Sequence, residues 1–208
     1  MPVEFFISAL VTLLLVVDPV GLAPSFLAVT HGLSARHRRQ VAVRAAIIAA
    51  AILIGTALVG DWLLRQLGIS LPAFRIAGGL LLFYMAGEMV FGVRIARQTE
   101  TAEQAIEEHV RNIAAFPLAI PLMAGPGAIT ATVLLAGQAD RRLLWLGVLM
   151  GVIVAVTVAC LLTFLAAERI GKLLGITGNV VLSRLLGVIL AALAVQYVID
   201  GIRAMVSA

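Results

Sequence analysis

Apolar residues fall into six long blocks, and nearly all the charge sits in the short stretches between them. A helix needs about 20 apolar residues to cross the ~30 Å hydrocarbon layer of a bilayer. The blocks predict spans over about Val3–Thr30, Val41–Val59, Leu71–Phe91, Ile113–Leu135, Leu143–Ala166 and Val180–Ile202. The polar stretch Gly92–Asn112, with Glu100, Glu103, Glu107 and Glu108, predicts a connector with some helix. The expected fold class is an all-α membrane protein of six transmembrane helices.

Two of these blocks are interrupted. The first carries Asp18-Pro19-Val20-Gly21-Leu22-Ala23-Pro24; the fourth carries Gly125-Pro126-Gly127-Ala128, with Pro117 and Pro121 upstream. Proline removes a backbone donor and clashes with the preceding turn. In hydrocarbon a freed backbone group costs several kcal/mol unless protein or a water-filled cavity satisfies it. Helices 1 and 4 are therefore expected to be broken, with the loose ends turned toward a cavity. Paired breaks at matching places in two halves are the best sequence pointer to a transporter's central site.

The halves do match. A step of 107 takes Pro19 to Pro126, Asp61 to Glu168, Arg65 to Lys172 and Leu67-Gly68-Ile69-Ser70 to Leu174-Gly175-Ile176-Thr177. After a two-residue insertion the step is 109: Arg75 meets Arg184, Gly78 meets Gly187, and Gly92-Val93-Arg94 meets Gly201-Ile202-Arg203. The chain reads as a single membrane domain: repeat 1 over about residues 1–91, a connector over about 92–112, and repeat 2 over about 113–208. Three spans per half put the second half in the opposite sense, so the expected arrangement is an inverted repeat about an axis in the membrane plane.

Composition agrees. The chain is 62% hydrophobic and 12% charged, with mean hydropathy +1.11, against about 25% charged for a soluble domain. The net charge of +4 does not imply nucleic acid, because the basic residues sit in short loops, where they set orientation. Arg36, Arg38, Arg39, Arg44, Arg94, Arg97, Arg111, Arg169, Lys172 and Arg184 share one side; Arg65, Arg75, Arg141, Arg142 and Arg203 share the other. The richer side is expected in the cytoplasm and both termini outside it, across a plasma (inner) membrane. The first apolar run lacks a basic flank and a cleavage site, so a retained span is expected. A lone cysteine, Cys160, rules out an intrachain disulfide.

The chemistry on offer is that of binding. Asp18 lies deep in a span, where acids are costly and face a cavity or partner, and no other acid is expected so deep. It can hold an ammonium, a sodium ion or a proton, or it can cap backbone amides freed by the break. Pro19, Gly21, Pro24, Gly125, Pro126 and Gly127 would shape the unwound segments, and a helix restarting there aims its amides at an anion. Thr130 and Thr132 could add hydroxyls. Glu88 is expected near water, Arg75 and Arg184 at the membrane interface, and His31, His37 and His109 in solvated loops. No hydrolase, metalloprotease, nucleotide-binding or CxxC motif occurs; neither an enzyme nor a cofactor or metal site is expected.

At these residues the chain resembles the MarC family of membrane proteins, also called the neutral amino acid transporter family. The similarity runs over nearly the whole chain and is most specific at Pro117-Leu-Ala-Ile-Pro121-Leu-Met-Ala-Gly125-Pro126-Gly127-Ala-Ile-Thr130. Asp18–Pro24, Ala77–Phe83 and Asp200–Arg203 are also similar. Leu22 departs from the Asn that many members have there. The resemblance implies a secondary transporter of small neutral amino acids. Its partners would be a small zwitterionic solute, the lipid bilayer and a coupling proton or sodium ion; a homo-oligomer is left open. The alternative is a non-transporting membrane protein that acts as an assembly or stress-response partner.

Overall fold

The computed structural model describes residues 2–94, 97–98, 100–101, 112–139 and 142–207. Most of the connector expected over residues 92–112 lies outside them. All regular structure among the described residues is helical: α1 Pro2–Val17, α2 Ala23–Val29, α3 Ala35–Gln66, α4 Leu71–Phe91, an irregular wide-turned segment Ala114–Met123, α5 Pro126–Gln138, α6 Leu143–Leu165 and α7 Ala167–Val206.

Local chemistry sets the ends. Ser34 and Ser70 cap α3 and α4, their hydroxyls accepting from the amides of His37 (3.4 Å) and Ala73 (3.3 Å). This spares amides that have no intrahelical partner. Gly92 closes α4 in the left-handed region at φ 78°, which a residue with a Cβ resists. Gly68 and Gly175, paired by the 107-residue step, are both left-handed at φ 69° and 60°. The first ends α3; the second bends α7 before its long apolar part.

Four helices are long and apolar enough to cross a membrane: α3, α4, α6 and residues 177–206 of α7. The bent pair Ala114–Met123 and α5, turned by 58°, makes a fifth. The apolar part of α1, Val3–Val17, is about 22 Å long and falls short of a bilayer by itself. The first expected span is thus cut short at Asp18. α3 is longer than expected, with 32 residues or about 48 Å, and overshoots a bilayer.

Burial is that of a protein in lipid. Leu13, Phe26, Leu53, Leu82, Leu134, Leu149 and Phe164 are fully enclosed. Ile47, Leu58, Leu80, Phe83, Leu162, Leu185 and Val188 each leave half or more of their surface outside. In lipid there is no hydrophobic drive between helices, so small residues that admit close packing hold the bundle. The most extensive contact is antiparallel, α4 against α7. A Cβ on Gly79 would stand 2.8 Å from the Ala194 carbonyl, one on Gly187 2.8 Å from the Met89 Cβ, and one on Gly201 2.9 Å from the Pro72 carbonyl. The contacts are reciprocal under the step of 109. Gly201 packs on Arg75 while Gly92 faces Arg184, and each residue of one pair is the counterpart of one in the other.

A cross-half tie closes one face. Arg38 of α3 donates to Glu168 of α7, and that bond with the guanidinium charge holds the Glu168 carboxyl below its usual range. Two outcomes are expected. Gly79→Ala should lower stability in detergent by about 1–3 kcal/mol, since its methyl meets backbone. Gly55→Ala, with open space around it, should be neutral or stabilising; thermal unfolding reads both. The Arg38–Glu168 tie should hold above the ordinary glutamate value of about 4.3. It should fade as pH falls through the depressed folded value, and with salt. A double-mutant cycle at pH 7 and pH 3 measures it.

Candidate functional site

At the first break α1 stops at Val17 because Asp18 turns left-handed at φ 53°, a region aspartate tolerates better than most residues. Its amide closes the last turn onto Leu14, and its Oδ1 accepts from the Gly21 amide at 3.1 Å. The carboxylate is 3% exposed. A Cβ on Gly21 would fall on that carboxylate, so Gly21 is what lets Asp18 fold over the turn. Of the two expected roles, the cap is the one with a bonded partner. Ser183 of α7 lies beside Asp18.

At the second break Phe116 and Ile120 are extended (φ −133° and −127°), as residues before proline prefer. Both following prolines have cis peptide bonds. The Ala124 amide reaches back five residues to Ala119 at 2.8 Å. Gly125 is extended and Pro126 opens α5, a position where a missing N–H is harmless. The first backbone bond of α5 is Ile129 to Gly125, and no side chain caps this end. The Gly127 and Ala128 amides therefore point beyond the helix without an intrahelical partner.

The two breaks meet. Gly127 packs so tightly on Met85 that a Cβ there would land on the sulfur, and it would stand 3.3 Å from Val16 Cγ1 at the end of α1. Around this contact is a cavity of about 360 Å³, walled by Val16, Met85, Arg94, Arg97, Gln98, Pro121 and Gly125–Ala128. Arg94 is 3% exposed. It donates to the Val16 carbonyl at 2.6 Å and the Val17 carbonyl at 3.5 Å, and contacts Met89 Sδ at 3.1 Å. A guanidinium thus covers the open carbonyl end of α1, where the helix dipole is negative. Arg97 pairs with Glu88 at 2.6 Å. Arg94 and Asp18 interact through space without touching.

Of the expected site residues, Gly125, Pro126 and Gly127 line this cavity. Asp18, Pro19, Gly21 and Thr130 do not; Pro24 lines a separate apolar groove with Val20, Leu27, Ile170 and Leu174. Thr130 is buried with its methyl toward Gly78, and Thr132 donates to Ala128 at 2.7 Å. Glu88 is not near water: it is 7% exposed, held inward by Arg97, and its Oε2 has no partner. It is a second buried acid, paired to an Arg97 side chain that is itself half exposed. Arg94, Arg97 and Gln98 are the residues sequence reasoning missed, because charges just past a span read as orientation signals. The hint was the short interval from Gly92, whose left-handed turn folds the chain back onto the bundle. No cluster of metal-ligating side chains occurs among the described residues.

The family model described as MarC family integral membrane protein matches residues 3–206. A UPF0056 membrane protein of Methanocaldococcus jannaschii is 38% identical over 98% of both chains. One from Archaeoglobus fulgidus is 38% identical over 96% of this chain and 92% of its own. The UPF0056 membrane protein YhcE of Escherichia coli is 34% identical over 96% and 91%. No solved structure matches. With the model spanning nearly every residue and relatives of equal length, the chain belongs to the MarC family of integral membrane proteins.

Proposed function

We propose that the protein is a secondary transporter of small neutral amino acids and that the cavity between the two breaks is its binding site. The observation that carries this is the pairing of a helix start with a buried arginine on one cavity wall. The free amides of Gly127 and Ala128 and the Arg94 guanidinium converge on space large enough for a small solute. Helix N-termini and guanidinium groups both favour a carboxylate. Backbone carbonyls around Pro121–Met123, in the unwound stretch before α5, can take the ammonium, as unwound segments do for cations in transporters. Asp18 then serves the site indirectly, holding the first break and balancing Arg94; a coupling proton or sodium ion would act through these buried acids.

Six spans in two inverted halves fit this reading. The first span would be α1 continued through the break into α2. The reciprocal α4–α7 contacts are what a two-fold axis between antiparallel helices produces, and such an axis lies in the membrane plane when the helices cross it. Alternating access would be the rocking of one half against the other about this site. The excess of basic residues supports an orientation with the Arg38–Glu168 face in the cytoplasm and both termini outside.

Uptake by purified protein in proteoliposomes, screened over glycine, alanine and serine with imposed proton or sodium gradients, tests the function. Accumulation of none of them would defeat it. Arg94→Gln should reduce uptake at least tenfold, the scale of a lost charged hydrogen bond, with folded protein retained and Arg94→Lys partly active. Asp18→Asn should keep most uptake, because asparagine accepts the Gly21 amide and tolerates the left-handed backbone; abolition would return Asp18 to the substrate itself. Ser207→Cys should label only from outside in intact cells, and cytoplasmic labelling would invert the topology.

A further inference from the structure

A second cavity lies away from the breaks, where α2, the start of α3 and the start of α7 meet. It has a volume of about 370 Å³. Beneath it the enclosed rings of Phe26 and Phe164 stack with centroids 4.5 Å apart; the apolar surface it presents is Leu165, half exposed at the bundle's outer face. Its rim is cationic: Arg38, Arg39 and Arg169, against the single acid Glu168. Glu168 is occupied by one Arg38 nitrogen, while Arg38 Nε is buried with no partner. An apolar groove of about 350 Å³, walled by Pro24, Leu27, Ile170 and Leu174, lies on the same two elements, α2 and the start of α7.

The repeat supplies a comparison within the molecule. The step of 107 carries this cavity onto another of about 430 Å³ at the far ends of the helices, walled by Ala57, Leu58, Asp61, Trp62 and Leu146. There Arg39 is replaced by Leu146 and Arg169 by Trp62, Arg38 falls on Trp145 outside the wall, and Arg65 is the wall's one cation. Its acid, Asp61, is paired within its own helix to Arg65 at 2.6 Å. The shared fold therefore builds the cavity without three arginines. On one face they have been added; on the other, aromatic and aliphatic groups stand in their place.

We propose that the Arg38–Arg39–Arg169 cavity binds the phosphate headgroup of an anionic phospholipid from the adjoining leaflet, with acyl chains lying along Leu165 and the apolar groove. Basic pockets between helices hold such headgroups, and an anionic surface attracts each arginine. Guanidinium groups suit phosphate, offering paired donors in a fixed fork. The exposed Leu165 and the apolar groove on the same elements point to an amphiphile rather than a free anion. The aromatic residues of the opposite cavity suit the interfacial belt of a leaflet without that demand.

The test uses the full chain in detergent, incubated with phosphatidylglycerol or phosphatidylcholine of identical acyl chains, with bound lipid counted by native mass spectrometry. Phosphatidylglycerol should be retained at least tenfold over phosphatidylcholine. The Arg39→Gln/Arg169→Gln double variant, which leaves the Arg38–Glu168 tie intact, should lose about 25-fold, or fivefold for each charge. Its lysine equivalent should keep most binding, and Arg65→Gln in the opposite cavity should change nothing. Because Arg39 and Arg169 are exposed, these variants should fold, and unchanged thermal unfolding in lipid-free detergent checks it. Equal retention of both lipids, or full binding by the glutamine variant, overturns the proposal and leaves the arginines as orientation signals. Displacement of the lipid by inorganic phosphate at comparable concentration also overturns it, in favour of a free-anion site.

Discussion

A backbone that stops being helical inside lipid must have its exposed amides and carbonyls satisfied by something other than water, and the rest of this structure depends on how that is done. The first break is closed by two groups from opposite directions. Asp18 takes the Gly21 amide from within the turn, and Arg94, reaching back from beyond α4, takes the carbonyls of Val16 and Val17. The second break is closed differently. Its carbonyl side is wound into a wide turn ending at Ala124, and its amide side, at Gly127 and Ala128, has no intrahelical partner and faces the cavity. One break is self-sufficient and the other is left open, which is why the cavity is walled by the second and only touched by the first.

The Arg94 tether has a mechanical consequence. It joins the end of α4 to the end of α1, and Arg97 repeats the motion by pairing back onto Glu88 of α4. Such a pair is weak support for stability, since Glu88 is desolvated while the Arg97 side chain stays half exposed and water competes for it. Removing one partner is what costs, because a charge is left alone in a low dielectric. These contacts are therefore better seen as fixing the position of the first break against α4 than as glue. Gly127 against Val16 and Met85 then sets the second break on the same reference. Both broken segments are indexed to one helix, α4, which packs along α7.

Much of this was legible in the sequence, and the parts that were not share a cause. Helix breaks at Asp18 and Pro126 were readable because proline and glycine act through the local backbone, whatever surrounds them. Gly68 and Gly175, matched by the 107-residue step, are both left-handed, a conformation that glycine alone adopts freely. Glu88 and Arg94 were misread because charge near a span end has two opposite fates, outward to water or inward to a partner, and the choice rests on tertiary neighbours far away in sequence. Val16 and Arg94 stand 78 positions apart, and the sequence around neither carries a trace of their bond. Asp18 was singled out for depth and is buried, yet burial does not say whether an acid faces a cavity or a turn. The first span's shortness has the same origin: composition runs on through Asp18, and only the left-handed backbone divides it.

The charge balance at the centre bears on what the cavity can accept. Two buried or cavity-lining cations, Arg94 and Arg97, are matched by two buried acids, Asp18 and Glu88. Far from water a net charge is expensive, whereas a balanced set of charges is tolerable if each is paired. A cargo with net charge would upset that balance and would have to bring a companion ion. A zwitterion would not: its carboxylate could share Arg94 and the α5 amides while its ammonium met carbonyls, leaving the total unchanged. The free oxygen of Glu88 is the one place in this set where a single positive charge, a proton or a small cation, could be added against an existing partner-free acceptor. Coupling to an ion gradient would then ask for no new group in the site, only for Glu88 to exchange its hold on Arg97 for that charge as the two halves move.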